Sequence, residues 1–189
     1  MDYRAQLRQY VVDALTTANT LAGANVFTPR TWATNDSVYP SLLVQTPRER
    51  KESRAKGNQL PQFNATLMVS VGGRLRSLGA DSTAAAAVEE QLDQFASQIE
   101  CAVLCYQPIL QSIKQVAFVD MEMDVSSSGR EHIGQVQFNF GFEFQVDFDP
   151  VVDAPAAWPP LTSPLTTVDV TYDQPNGTTE PGLTILLPQ

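Results

Sequence analysis

Residues 135–148, Q-V-Q-F-N-F-G-F-E-F-Q-V-D-F, constrain this chain more than any other stretch. Val136, Phe138, Phe140, Phe142, Phe144, Val146 and Phe148 alternate without a break with polar, charged or glycine residues. A period of two marks a β-strand, because successive side chains point to opposite faces. At about 3.3 Å per residue the stretch can run roughly 46 Å, well past the usual strand of about five or six residues. A phenylalanine buries roughly 150–250 Å², so a row of them cannot be left facing water. The rest of the chain has to supply a layer that covers this face.

Two segments have the pattern of such a layer. Residues 2–20 place Tyr3, Leu7, Tyr10, Val11, Ala14, Leu15 and Ala18 at helical spacing, with Asp2 positioned to complement the N-terminal dipole. Residues 83–106 do the same with Val88, Leu92, Phe95, Ile99, Ala102, Val103 and Tyr106. Asp81, Ser82 and Thr83 are cap candidates at the start of this helix, and Pro108 is its stop. Residues 26–40 read as an irregular connection in which Phe27, Trp32 and Tyr39 are packing anchors.

Three more strands are expected. Residues 41–46 form a short one ended by Pro47, which cannot donate to a ladder. Residues 62–71 alternate, and Gly72-Gly73 then suggests a bulge or bend. Residues 114–125 form the partner of the phenylalanine strand, joined to it by the turn 126–130. The order helix, strand, strand, helix, strand, strand predicts an α+β domain over residues 1–148. Its sheet would have about four strands, largely antiparallel, with two helices packed on one face.

After Phe148 the character changes. Residues 149–189 are rich in proline and carry five acids (Asp149, Asp153, Asp169, Asp173, Glu180) with no Lys or Arg. That composition cannot build a core alone and predicts an extended C-terminal arm. Trp158, Leu161, Leu165 and Tyr172 are its candidate docking residues. Residues 166–172 have strand character suited to adding to a sheet edge, and 173–177 read as a turn.

Charge narrows the function classes. The net charge is −9, which argues against a broad grip on nucleic acid. Five of the twelve basic residues nevertheless fall in 48–58, expected as a long loop: Arg48, Arg50, Lys51, Arg54 and Lys56. A connection of that length is a candidate protein contact. No apolar run approaches the roughly 20 residues of a membrane span. The N-terminus lacks the apolar stretch of a secretory signal, so a cytoplasmic site of synthesis and residence is expected.

Catalytic chemistry has little to build on. His132, the only histidine, is expected to be exposed beside a turn, and no nucleophile motif accompanies it. Cys101 and Cys105, four apart on a helix and away from its apolar stripe, read as reduced thiols. Structural zinc wants four ligands, which this chain does not offer in a recognisable pattern. Asp120, Glu122 and Asp124 share one strand face roughly 6.6 Å apart. They suit a hard cation or a basic partner, with a solvated outer face as the plainer reading. No enzyme activity, metal or cofactor is expected.

The succession L-R-Q-Y-V-V-D-A-L, V-F-T-P-R-T-W, Y-P-S-L-L-V-Q-T-P, A-A-A-V-E-E-Q-L-D-Q-F-A-S-Q-I-E and F-G-F-E-F-Q-V resembles the tail terminator, or minor tail U-like, proteins of long-tailed bacteriophages. The resemblance covers residues 1–148 and lies in layout rather than in one diagnostic motif. The C-terminal arm departs from it. The resemblance implies a non-enzymatic virion protein that forms a hexameric ring on the head-proximal end of the tail tube. Its implied partners are further copies of itself, the tail tube protein and the head–tail connector, with DNA passing through the lumen unbound. On this reading the polar side of the phenylalanine strand, Gln135, Gln137, Asn139, Glu143 and Gln145, becomes a candidate for subunit contact or lumen lining. The rivals are another neck or tail-completion protein of similar fold, and a small-molecule-binding α+β domain using space beneath Phe138–Phe144.

Overall fold

The computed structural model describes residues 3–28, 38–54, 60–78, 82–128, 131–149, 152–153, 155, 167–173 and 179–186. The elements in chain order are α1 (Tyr3–Thr17), β1 (Val26–Phe27), β2 (Ser41–Ser53), β3 (Gln62–Leu78), α2 (Ser82–Leu104), α3 (Gln107–Ser112), β4 (Gln115–Ser128), β5 (Glu131–Asp147), β6 (Thr167–Asp173) and β7 (Thr179–Leu186). The chain divides into two compact units, 1–58 with 62–146, and 59–61 with 147–189.

The first unit is α+β, built on a five-stranded sheet of order β1-β2-β3-β5-β4. The phenylalanine strand β5 lies inside the sheet, between β3 and β4. β2 runs antiparallel to β3, and β4 antiparallel to β5. Ser70 meets Asn139, and Gly73 lies against Val136. Since numbering rises in β3 as it falls in β5, this pair is antiparallel too. The fifth strand is the addition to the four expected. Val26 and Phe27 pair parallel with Leu42 and Leu43, and the Leu42 amide donates to the Asn25 carbonyl at 2.9 Å. Two residues carry no period, which is why this strand was not legible within 26–40.

All three helices bury onto the β5 face that carries the phenylalanines. Leu7, Val11, Ala14 and Leu15 of α1, Leu92, Phe95, Ile99 and Val103 of α2 and Ile109 of α3 meet Val136, Phe138, Phe140, Phe142 and Phe144 in one cluster. The rings of Phe138, Phe140 and Phe142 stack in sequence, with centroids 5.4 and 6.2 Å apart. Tyr3 extends the row by stacking on Phe144 at 4.9 Å. Phe148, expected to continue this face, falls beyond β5 and is 38% exposed.

Gly72-Gly73 neither bends nor bulges the chain, because β3 runs through it to Leu78 with Gly72 opposite Leu43 and Gly73 opposite Leu42. A Cβ on Gly73 would stand 2.8 Å from both Phe95 and Val136. The glycine therefore serves close approach of α2 to the sheet, not a turn. Pro108 ends α2 and also occupies the first turn of α3, where its missing N–H costs nothing.

In the second unit β6 pairs antiparallel with β7, from Thr167 opposite Leu186 to Asp173 opposite Thr179. The strand expected over 166–172 is present, but its partner is the C-terminal segment. The arm thus forms a hairpin of its own.

Candidate protein-interaction surface

One face of the five-stranded sheet carries the helices, and the other carries most of the polar residues singled out from sequence. Gln135, Gln137, Asn139 and Glu143 on β5 are half-buried, while Gln145 is exposed. Neighbouring strands tie several of them in place. The Ser70 hydroxyl donates to Asn139 Oδ1 at 2.6 Å, and Gln137 Nε2 donates to the Phe138 carbonyl at 3.2 Å. Arg54 Nη1 donates to Gln145 Oε1 at 3.1 Å. Glu143 accepts from Gln115 Nε2 at 2.6 Å and from Lys114 Nζ at 2.9 Å. The Gln115 and Lys114 hydrogen bonds hold its carboxyl below the ordinary value.

The segment expected as a charged loop is strand. Pro47 does not end β2; a register shift between Gln45 and Arg48 absorbs it, and pairing continues to Ser53 opposite Phe63. Proline is tolerated at a bulge because no ladder donor is needed there. The extra residue also resolves a conflict in the sequence. Leu42 and Val44 bury at even positions, yet Glu49 and Lys51 pair with the buried Leu67 and Ala65 and so face the helices. Arg48 and Arg50 consequently lie on the polar face, and Arg54 follows the strand end. Lys56 lies outside the described residues.

Sequence reasoning missed the role of Glu49. Its carboxylate meets Arg4 Nε at 2.6 Å and Lys51 Nζ at 3.1 Å, joining α1 to β2. Burial pushes this carboxyl up, but Arg4 and Lys51 together outweigh it and leave it below its ordinary value. Nothing local in the sequence links residues 4 and 49, so only the fold could reveal the pair.

β4 also carries a bulge. A register shift between Val116 and Phe118 leaves Ala117 as the extra residue, so Val116 joins Val119 against the core. Phe118 is turned to the polar face, where it lies on Gly141; a Cβ there would overlap the phenylalanine ring. Asp120, Glu122 and Asp124 follow on that face, opposite Asn139, Gln137 and Gln135. All three are exposed. Among the described residues no three of His, Cys, Asp and Glu come together to hold a metal ion.

His132 is half-buried within β5 opposite Ser127, rather than exposed beside a turn. Cys101 and Cys105 are exposed free thiols in an open groove of roughly 400 Å³ shared with Ala14, Thr17, Gln98 and Tyr106. A second groove, of roughly 550 Å³, lies between α2 and β4 and is lined by Glu89, Leu92, Asp93, Met123 and Val125. Neither is lined by Phe138–Phe144, which are buried in the core. Trp158, Leu161 and Leu165 lie outside the described residues. Tyr172 is in β6, opposite Glu180. No described helix is long and apolar enough to cross a membrane.

Together these residues make one polar surface. It is a broad sheet face, amide-rich at its centre, with arginines toward β2 and carboxylates along β4. Compared with known proteins, the chain matches no family model and no curated relative.

Proposed function

We propose that this protein is a bacteriophage tail terminator: a structural virion subunit that forms a ring of about six copies on the head-proximal end of the tail tube and joins it to the connector. The observation that carries the reading is the one-sided sheet. Helices cover most of one face, while on the other the central strand β5 presents Gln135, Gln137, Asn139 and Gln145 with little charge for its length. A sheet face bound for solvent commonly holds more Lys and Glu, whereas amide side chains suit contact with further protein or the lining of a passage. The element order, which resembles the tail terminator family, supports the same reading.

The proposed neighbours are the tail tube protein below and the connector above. DNA would cross the lumen without being held, helped by the net charge of −9. Labelled antibody against this protein, viewed by electron microscopy on intact particles, is expected to mark the junction of head and tail. Absence from that junction overturns the assignment. Label elsewhere in the neck would favour the related reading of a different tail-completion component.

A further inference from the structure

β4 is the terminal strand of the five-stranded sheet, and both of its faces are exposed from Asp120 to Ser126. On the helix side, Met121, Met123 and Val125 lie opposite Phe138, Val136 and Gly134 of β5. Phe138 and Val136 are 1% exposed beneath the helices, yet Met121 is 48%, Met123 38% and Val125 40% exposed. Over this stretch the helix layer therefore stops one strand short of the sheet edge. The groove of roughly 550 Å³ between α2 and β4 marks the gap, with Leu92, Met123 and Val125 as apolar lining and Glu89, Asp93 and Asp124 supplying its charge. On the polar side Asp120 and Glu122 join Asp124, and none of these five carboxylates meets a cation among the described residues.

A terminal strand also presents backbone donors and acceptors along its outer side, and charge and bulges are the usual devices that keep such an edge from pairing indiscriminately. The bulge at Ala117 lies before this stretch, and pairing with β5 is regular from Phe118 to Ser128. Charge does guard the edge, but selectively, because a row of carboxylates repels an acidic strand and attracts a basic one. Guarding does not account for three large apolar side chains left uncovered on the opposite face.

We propose that the β4 edge receives, by strand addition, a segment of another protein that alternates Lys or Arg with apolar residues. A period of two puts every second side chain on one face. Such a segment sets its cations beside Asp120, Glu122 and Asp124, while its apolar residues cover Met121, Met123 and Val125 and enter the groove. Backbone, apolar face and charge are then met by one occupant. A second copy of β4 meets them poorly. An antiparallel pair with both helix layers on one side sets polar position against polar position, so overlapping carboxylates oppose one another. Elsewhere in this chain, residues 48–52 include no apolar residue and residues 149–189 no Lys or Arg, so neither stretch has the required chemistry.

The contact requires neither a ring nor a tail, so it does not rest on the tail terminator reading. Synthetic peptides of about nine residues test it by fluorescence anisotropy with the full chain. One alternates Lys with Val, one alternates Glu with Val, and one holds the Lys and Val of the first in two blocks. The natural chain is expected to bind the Lys–Val alternation roughly tenfold or more tighter than the blocked peptide, and the Glu–Val peptide not at all. Asp120→Lys with Glu122→Lys should reverse the preference between the two alternating peptides. Met121→Ser with Met123→Ser should weaken binding by roughly tenfold with every charge kept. All four positions are exposed, and circular dichroism checks that the variants stay folded.

A further measurement needs no substitution and stands if a variant fails to fold. Only every second amide of an added strand faces its neighbour, so methylating the Lys amides of the peptide and methylating its Val amides should differ roughly tenfold or more in effect. Equal binding of the blocked peptide would reduce the contact to general attraction toward an acidic chain and overturn the proposal. Equal effects of the two methylations, unchanged binding in either variant, or no binding to the natural chain would also overturn it. Self-association of the natural chain that the Lys–Val peptide reverses would make a second copy the occupant, again overturning it. Failure of the peptide with label still at the head–tail junction removes this inference alone. Binding as expected with label absent from that junction removes only the functional reading.

Discussion

At the scale of the residue, Glu49 shows how a position with no signature becomes a joint. The side chain is 11% exposed, close to two cations, and tethers α1 to the sheet. Its folded-state carboxyl lies below the ordinary value of 4.5 because Arg4 and Lys51 outweigh burial. A carboxyl lowered on folding contributes stability that is fully present above its unfolded value and lost as pH falls through the folded one. Unfolding by urea below about pH 4.5 is therefore expected to show a loss in the natural chain that Glu49→Gln lacks. Because Arg4 is 58% exposed, solvent screening keeps the difference under about 1 kcal/mol. Equal pH profiles for the two chains would remove Glu49 from the account.

At the scale of the element, the two bulges explain most of the distance between sequence and structure. β5 was legible at once, since its alternation is unbroken from Val136 to Phe144 and every second residue there is buried. The α2 stripe was legible for the same reason: Val88, Leu92, Phe95, Ile99 and Val103 are all buried. β2 and β4 each change parity midway, and a change of parity reads as an end. That is why Pro47 looked like a terminus.

The bulges make a prediction about deletions. Removing Ala117 takes out only the unpaired residue, leaving Phe118 over Gly141 and the carboxylates on the polar face. It should cost about 1 kcal/mol or less in urea unfolding. Removing Asp120 shifts the remainder of β4 by one, which exchanges the faces of its carboxylates and of Met121 and Met123. Because both methionines are already exposed, the cost comes from the lost register and should exceed that of the Ala117 deletion by about 1 kcal/mol. Similar losses for the two would mean that Ala117 is not the slack residue.

At the scale of the whole molecule, the hydrophobic cluster and its partly buried margin lie, among the described residues, within 7–146. A chain ending at residue 148 is accordingly expected to unfold cooperatively, with a thermal midpoint within about 5 °C of the natural one. Loss of a cooperative transition would place part of the core in 149–189. The arm's strand was legible from its β-branched residues, but its pairing was not, because composition says nothing of which segment returns to meet it. The candidate surface was half legible: the amides of β5 were on the page, while the edge position of the arginines required the sheet order. That order has a geometric consequence. Ser53 and Arg54 lie toward the C-terminal end of β5, next to Phe63 and Gln145, whereas Ser128 pairs with Glu131 at its N-terminal end. The β2–β3 and β4–β5 hairpins thus close at opposite ends of β5, so a change at one turn lies a full strand length from the other.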